Sequence, residues 1–132
     1  MTLSIWSERS ILLLDGIGAA VTAIAVGLIL PAFQPWIGLP TLTLRLLGGF
    51  ALGLSAYSLS RYFTGRTTPT ALRRVASANL TYCALTAALI AWHARDVTVW
   101  GYAYFGVEIA IIAALACREL ALARTMRPTI AA

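Results

Sequence analysis

The chain has 132 residues, 60% of them apolar and 11% charged, with a mean hydropathy of +0.82. A soluble domain carries about 25% charged residues, so this composition excludes water as the main solvent and predicts an all-α integral membrane protein. The net charge of +5 and pI near 9.9 invite a nucleic-acid partner, but the arginines fall at the ends of apolar runs. That placement is a topology signal.

Four apolar runs cover residues 11–30, 46–59, 75–92 and 97–117. A helix needs about 20 mostly apolar residues to span hydrocarbon. The first run predicts a helix over 10–30, ended by Pro31. Asp15 interrupts it, which sets it apart from a cleaved signal segment. The loop 31–40, rich in Pro and aromatic residues, carries no charge and is expected to lie in the interface. The second run extends to a helix over 40–63 if Pro40 starts it and Arg45 snorkels. Thr68 and Pro69 read as the cap and first turn of a helix over 69–93. Asp96 or Thr98 caps a fourth over 97–120, with a basic tail that can continue as helix to Pro128. The expected architecture is therefore a four-transmembrane-helix bundle forming one integral membrane domain, residues 1–132.

Arg9, Arg61, Arg66, Arg73, Arg74, Arg118, Arg124 and Arg127 fall on one predicted side, and Arg45 and Arg95 on the other. This positive-inside pattern puts both termini in the cytoplasm. Trp6 at the inner boundary and Trp36, Trp92 and Trp100 at the outer one form the expected aromatic belt. All basic residues are Arg and none is Lys, a bias read as that of a GC-rich bacterial genome, hence a bacterial cytoplasmic (inner) membrane.

The two halves show a faint likeness. Arg9, Asp15 and Thr22 superpose on Arg73, Asn79 and Thr86 at an offset of 64, and Gly49, Ala56, Ser60 and Arg61 on Gly106, Ala113, Cys117 and Arg118 at an offset of 57. Each half would be a helical hairpin of the same orientation, a parallel tandem repeat. Chance matching between Ala-rich helices explains the likeness equally well.

The residues that attract attention are polar groups inside these runs. A carboxylate at mid-membrane costs several kcal/mol unless it is paired, hydrated or protonated. Glu108 lies nearest the middle of its run, about 13–14 Å from the cytoplasmic edge at ~1.5 Å per residue. Asp15 and Asn79 lie about 6 Å deep on the same count, with Tyr82 one turn beyond Asn79 and Tyr57 and Ser58 in the same leaflet. Together they form a candidate intramembrane polar or proton site: Glu108, Asn79, Asp15 and Tyr82. Each has a plainer reading. Asp15 can serve the positive end of a helix dipole or pair with Arg73 or Arg74. Asn79 can be an interhelical hydrogen bond, and Glu108 a buried tie to Asn79 or Tyr104. Gly49 and Gly53 have the Gly-x-x-x-Gly spacing of close helix packing, within the chain or between copies.

No catalytic set is present: no Ser or Cys nucleophile has a base at hand. No His/Cys/carboxylate spacing predicts a metal, and one edge histidine, His93, cannot provide paired haem ligands, so no cofactor is expected. Cys83 and Cys117 read as packing residues. The pattern of Asp15 in the first helix, Leu44–Gly48 opening the second, Asn79 in the third and Glu108 in the fourth resembles small four-helix bacterial inner-membrane proteins, a resemblance that implies no activity. Two functions follow. One is a non-enzymatic interaction or scaffold protein or accessory subunit, packed as a homo-oligomer or within a larger membrane complex. The other is a small oligomeric proton- or cation-coupled carrier using Glu108. The lipid bilayer is the expected partner in both, and nucleic acid in neither.

Overall fold

The computed structural model describes residues 8–65 and 68–125. Trp6, Arg66, Arg127 and Pro128, which entered the readings above, lie outside them. Among the described residues all regular structure is helical: α1 (Glu8–Ile24), a π-helical turn (Ala25–Ile29), α2 (Leu30–Ala32), α3 (Gln34–Ile37), α4 (Thr41–Thr64), α5 (Pro69–Trp92) and α6 (Val99–Thr125). Three stretches are long and apolar enough to cross a membrane: Ser10–Ala32, Thr41–Thr64 and Pro69–Trp92.

Local chemistry sets the helix ends. Thr68 Oγ1 accepts a hydrogen bond from Ala71 N–H at 3.0 Å, and Pro69 occupies the first turn. Thr98, rather than Asp96, caps α6 by accepting from Gly101 N–H at 3.1 Å. Gly65, at φ 70°, closes α4 in the left-handed conformation that glycine adopts without penalty.

Pro31 does not end the first helix, contrary to expectation. A proline inside a regular α-helix lacks a donor and clashes with the carbonyl four residues back. Here the turn just before it widens, with Leu30 N–H donating to Ala25 O five residues back, and the chain stays helical to Ala32. The expected interfacial loop also contains a helical turn, α3, which Gly38 ends at φ 100°. The basic tail continues as helix, and α6 reaches Thr125.

The helices pair as hairpins. α1 packs chiefly on α4, and α5 on α6; the pairs meet through α4 and α5 and, more sparingly, through α1 and α6. Gly27 and Gly48 let the first pair touch backbone to backbone, since a Cβ on Gly48 would stand 2.5 Å from Gly27 Cα. Gly49 and Gly53 point elsewhere. Nothing lies within 4 Å of a Cβ at either position, and both line a groove with Phe50, Tyr57 and Arg74.

One end is tied by loops: Thr98 N–H donates to Ile37 O at 3.0 Å, and Thr98 Oγ1 to Trp36 O. Trp36, Trp92 and Trp100 are all exposed. The core has two parts. The larger includes Val26, Leu44, Leu47, Leu54, Tyr82 and Phe105. The smaller comprises Ile11, Leu12, Leu72, Val75 and Ala123. Along each of α1, α5 and α6, a buried polar residue falls between the two parts: Asp15, Asn79 and Glu119.

Candidate functional site

Each of the four long helices contributes one side chain to a buried polar knot. Asp15 of α1 accepts from Ser58 Oγ of α4 at 2.6 Å through Oδ2, and from Asn79 Nδ2 of α5 at 2.6 Å through Oδ1. The same Asn79 amide donates to Glu119 Oε1 of α6 at 3.1 Å. An amide NH₂ has two hydrogens, so Asn79 spends both as a bridge between carboxyls. The Asp15 and Glu119 carboxyls also stand in contact with each other. Ser55 Oγ, one turn before Ser58, donates to Gly16 O at 2.8 Å. Ser58 and Glu119 are fully buried, Asp15 is 1% exposed and Asn79 4%.

Burial of Asp15 corrects its interfacial reading. It is buried away from Arg73 and Arg74, which are exposed, and its hydrogen-bond donors are Ser58 and Asn79. The knot also contains Glu119, which sequence reasoning passed over. In the sequence its neighbour Arg118 and nearby Arg124 read as a basic helix end, and the acid beside them as part of it. A signal was present. Phe105, Glu108, Ala116, Glu119 and Ala123, all buried, recur at helical spacing, and Glu119 lies about three turns beyond Glu108 on the same face.

Glu108 has a different setting. Its Oε1 accepts from Tyr82 Oη at 2.8 Å, and Tyr104 stands close to the same carboxyl. Its Oε2 is buried without a hydrogen-bond partner among the described residues. Asn79, expected as a partner of Glu108, belongs to the knot instead. The structure thus divides the expected cluster in two, joining Asp15 to Asn79 and Glu108 to Tyr82.

Two spaces lie beside these groups. A cavity of about 80 Å³ is lined by Asp15, Thr22, Asn79 and Tyr82 with apolar neighbours. A water needs roughly 10–15 Å³ on such a measure, so several fit. Tyr82 touches this cavity and bonds Glu108, so it connects the cavity to that acid. A larger groove of about 530 Å³ lies between α1 and α6, with Thr22, Trp100, Tyr104, Glu108 and Ile111 among its walls. Arg45 is on another side, in a groove lined by Gly27 and Gly48.

The chemistry is acidic without a matching base. Asp15, Glu108 and Glu119 are buried, and none of their hydrogen-bond donors is a cation. A carboxylate oxygen accepts and cannot donate, so two carboxyls in contact need a proton or a cation between them. Among the described residues no group of three or more His, Cys, Asp or Glu is placed to hold a metal ion. Cys83 is buried, Cys117 is exposed, and both are free. Comparison with family models, curated proteins and solved structures finds no match. The site is read from its own chemistry alone.

Proposed function

We propose that this protein is a small proton- or cation-coupled carrier, with Glu108 as the group that takes up and releases the coupling ion. The observation that carries the reading is the buried, unpartnered Oε2 of Glu108, a residue that lines an open groove. In a low-dielectric setting, a bare acceptor on an acid is costly. A site that alternately holds a proton and a cation gives that oxygen a partner in each state.

In this reading α6 is the fourth crossing. Its 27 residues reach about 40 Å at ~1.5 Å per residue, more than the ~30 Å of hydrocarbon. Both termini lie in the cytoplasm of a bacterial inner membrane, and the knot holds the bundle on the cytoplasmic side. A duplicated hairpin is supported by one contact: Asp15 and Asn79, equivalent under the 64-residue offset, hydrogen bond to each other.

The test uses vesicles of purified protein with a pH-sensitive dye inside. A gradient of a permeant-anion-free potassium, sodium or organic-cation salt is expected to drive a change of internal pH. Glu108→Gln should reduce that change to the level of empty vesicles while the protein stays folded. Equal pH changes in the two proteins would sink the carrier reading.

A scaffold or accessory-subunit role is a second reading, favoured by Gly49 and Gly53. Their open stripe lets another helix approach closely. Cross-linking through Gly53→Cys in native membranes tests it. A discrete cross-linked species supports it, and monomer alone counts against it.

A further inference from the structure

We infer that the groove between α1 and α6 is a binding site for a lipophilic monocation, an organic cation with an aromatic or alkyl body that enters sideways from the bilayer. This names the cargo class for the Glu108 site and so rests on the carrier reading, although binding itself can be measured without transport.

The size and the walls both fit. The groove holds about 530 Å³, and small-ligand sites run to roughly 300–1,000 Å³. It contains one acid, Glu108, and no basic residue. An anion therefore meets an unpaired acceptor, and a neutral apolar body leaves Oε2 as it is, buried and unpartnered. A cation gives Oε2 the partner it lacks. Glu108 is only 9% exposed, so the pair would form where water competes weakly. The rings of Trp100 and Tyr104 add aromatic faces, which attract cations when they lie within about 6 Å. The remaining walls are mostly apolar and would cover the body of the ligand.

The route follows from exposure. Val21, Val107, Ile111 and Trp100, at the groove's edge, are each 60% exposed or more, and α1 touches α6 sparingly. A ligand dissolved in lipid can reach Glu108 between these helices without crossing the bundle. The proton and the cation then compete for one oxygen, which is the condition for exchanging one against the other. Tyr82 holds Oε1 and leaves Oε2 as the shared position.

Equilibrium dialysis of tetraphenylphosphonium against protein in lipid nanodiscs tests the site, with empty nanodiscs subtracted. Triphenylphosphine oxide, a neutral molecule of related shape, controls for partition into apolar space. The expected result is saturable binding of the cation, weakened about tenfold or more in Glu108→Gln, a factor that ~1.4 kcal/mol carries. Ala103→Trp, which fills the groove from its wall without replacing the acid, should weaken it similarly. The neutral molecule should bind no more tightly to wild type than to Glu108→Gln. Equal cation affinity in wild type and Glu108→Gln overturns the site. So does equal competition by the neutral molecule, which would make the groove a slot for acyl chains. Cation binding without proton movement overturns the carrier reading and leaves the site standing. Proton movement without cation binding does the reverse.

Discussion

The knot and the Glu108 site are built from the same groups, carboxyls with hydroxyl or amide donors, in different settings. In the knot, Asp15 has a donor on each oxygen, Asn79 spends both hydrogens, and four helices contribute one residue each, with one oxygen, Glu119 Oε2, left without a hydrogen-bond partner. At Glu108 one oxygen is held by Tyr82 and the other is buried without a hydrogen-bond partner, and the residue lines an open groove. A nearly closed network fixes the relative position of its helices, because losing any member leaves buried partners unsatisfied. An acid with one oxygen free and an open groove beside it can change its partner without disturbing its neighbours. The proposed function accordingly gives the knot the structural role and Glu108 the exchange of ions.

Variants can break or sharpen that division. The largest effect is expected at Asn79→Leu, which removes the amide between two buried carboxyls. It leaves two buried acceptors without their donor, at about 1–3 kcal/mol each. Thermal unfolding in detergent should show this as a large fall in midpoint or as failure to accumulate folded protein. A stable Asn79→Leu protein would remove the knot's structural role.

Next is Gly48→Val, whose Cβ would meet Gly27 Cα at 2.5 Å. Overpacking typically costs about 1–3 kcal/mol. Gly49→Ala, one residue on, meets open space and should leave the unfolding midpoint where it is. If the two substitutions cost the same, the α1–α4 crossing is not where the structure places it. Ser58→Ala removes one of the two donors to Asp15 and should cost about 1.5–3 kcal/mol if that carboxyl is ionised, nearer 1 if neutral. The same melt, read against wild type, therefore also reports the charge state of the knot. Tyr82→Phe deletes one hydrogen bond to Glu108 and is expected to be the mildest, about 1 kcal/mol. A larger loss there than at Ser58→Ala would reverse the assignment of structural and functional acids.

Much of this was legible in the residues, and the rest was hidden for physical reasons. The all-helical class followed from run length, and the cap of α5 from Thr68-Pro69. Pro31 misled because its usual consequence depends on a regular α-helical turn before it, and the wide turn at Ala25–Ile29 has no sequence signature of comparable strength. Depth counting put Asp15 and Asn79 at one level, and they do meet. The same count put Glu108 deeper, but depth says nothing of azimuth, so it could not show which of these groups face one another. Glu119 was masked by its basic neighbours, since a charge near a helix end has an ordinary explanation until the helix is seen to pack inward.

The central claim is that Glu108 exchanges ions and does not hold the fold. Internal pH recorded after a potassium, sodium or organic-cation gradient is imposed on wild-type and Glu108→Gln vesicles of matched protein content tests it most directly, because one proton exchanged for one monocation moves no net charge. The division of labour predicts a pH change in wild type that falls to the protein-free baseline in Glu108→Gln, with the two unfolding midpoints close together. Equal pH changes, or a Glu108→Gln protein that loses its response only because it unfolds, would contradict it.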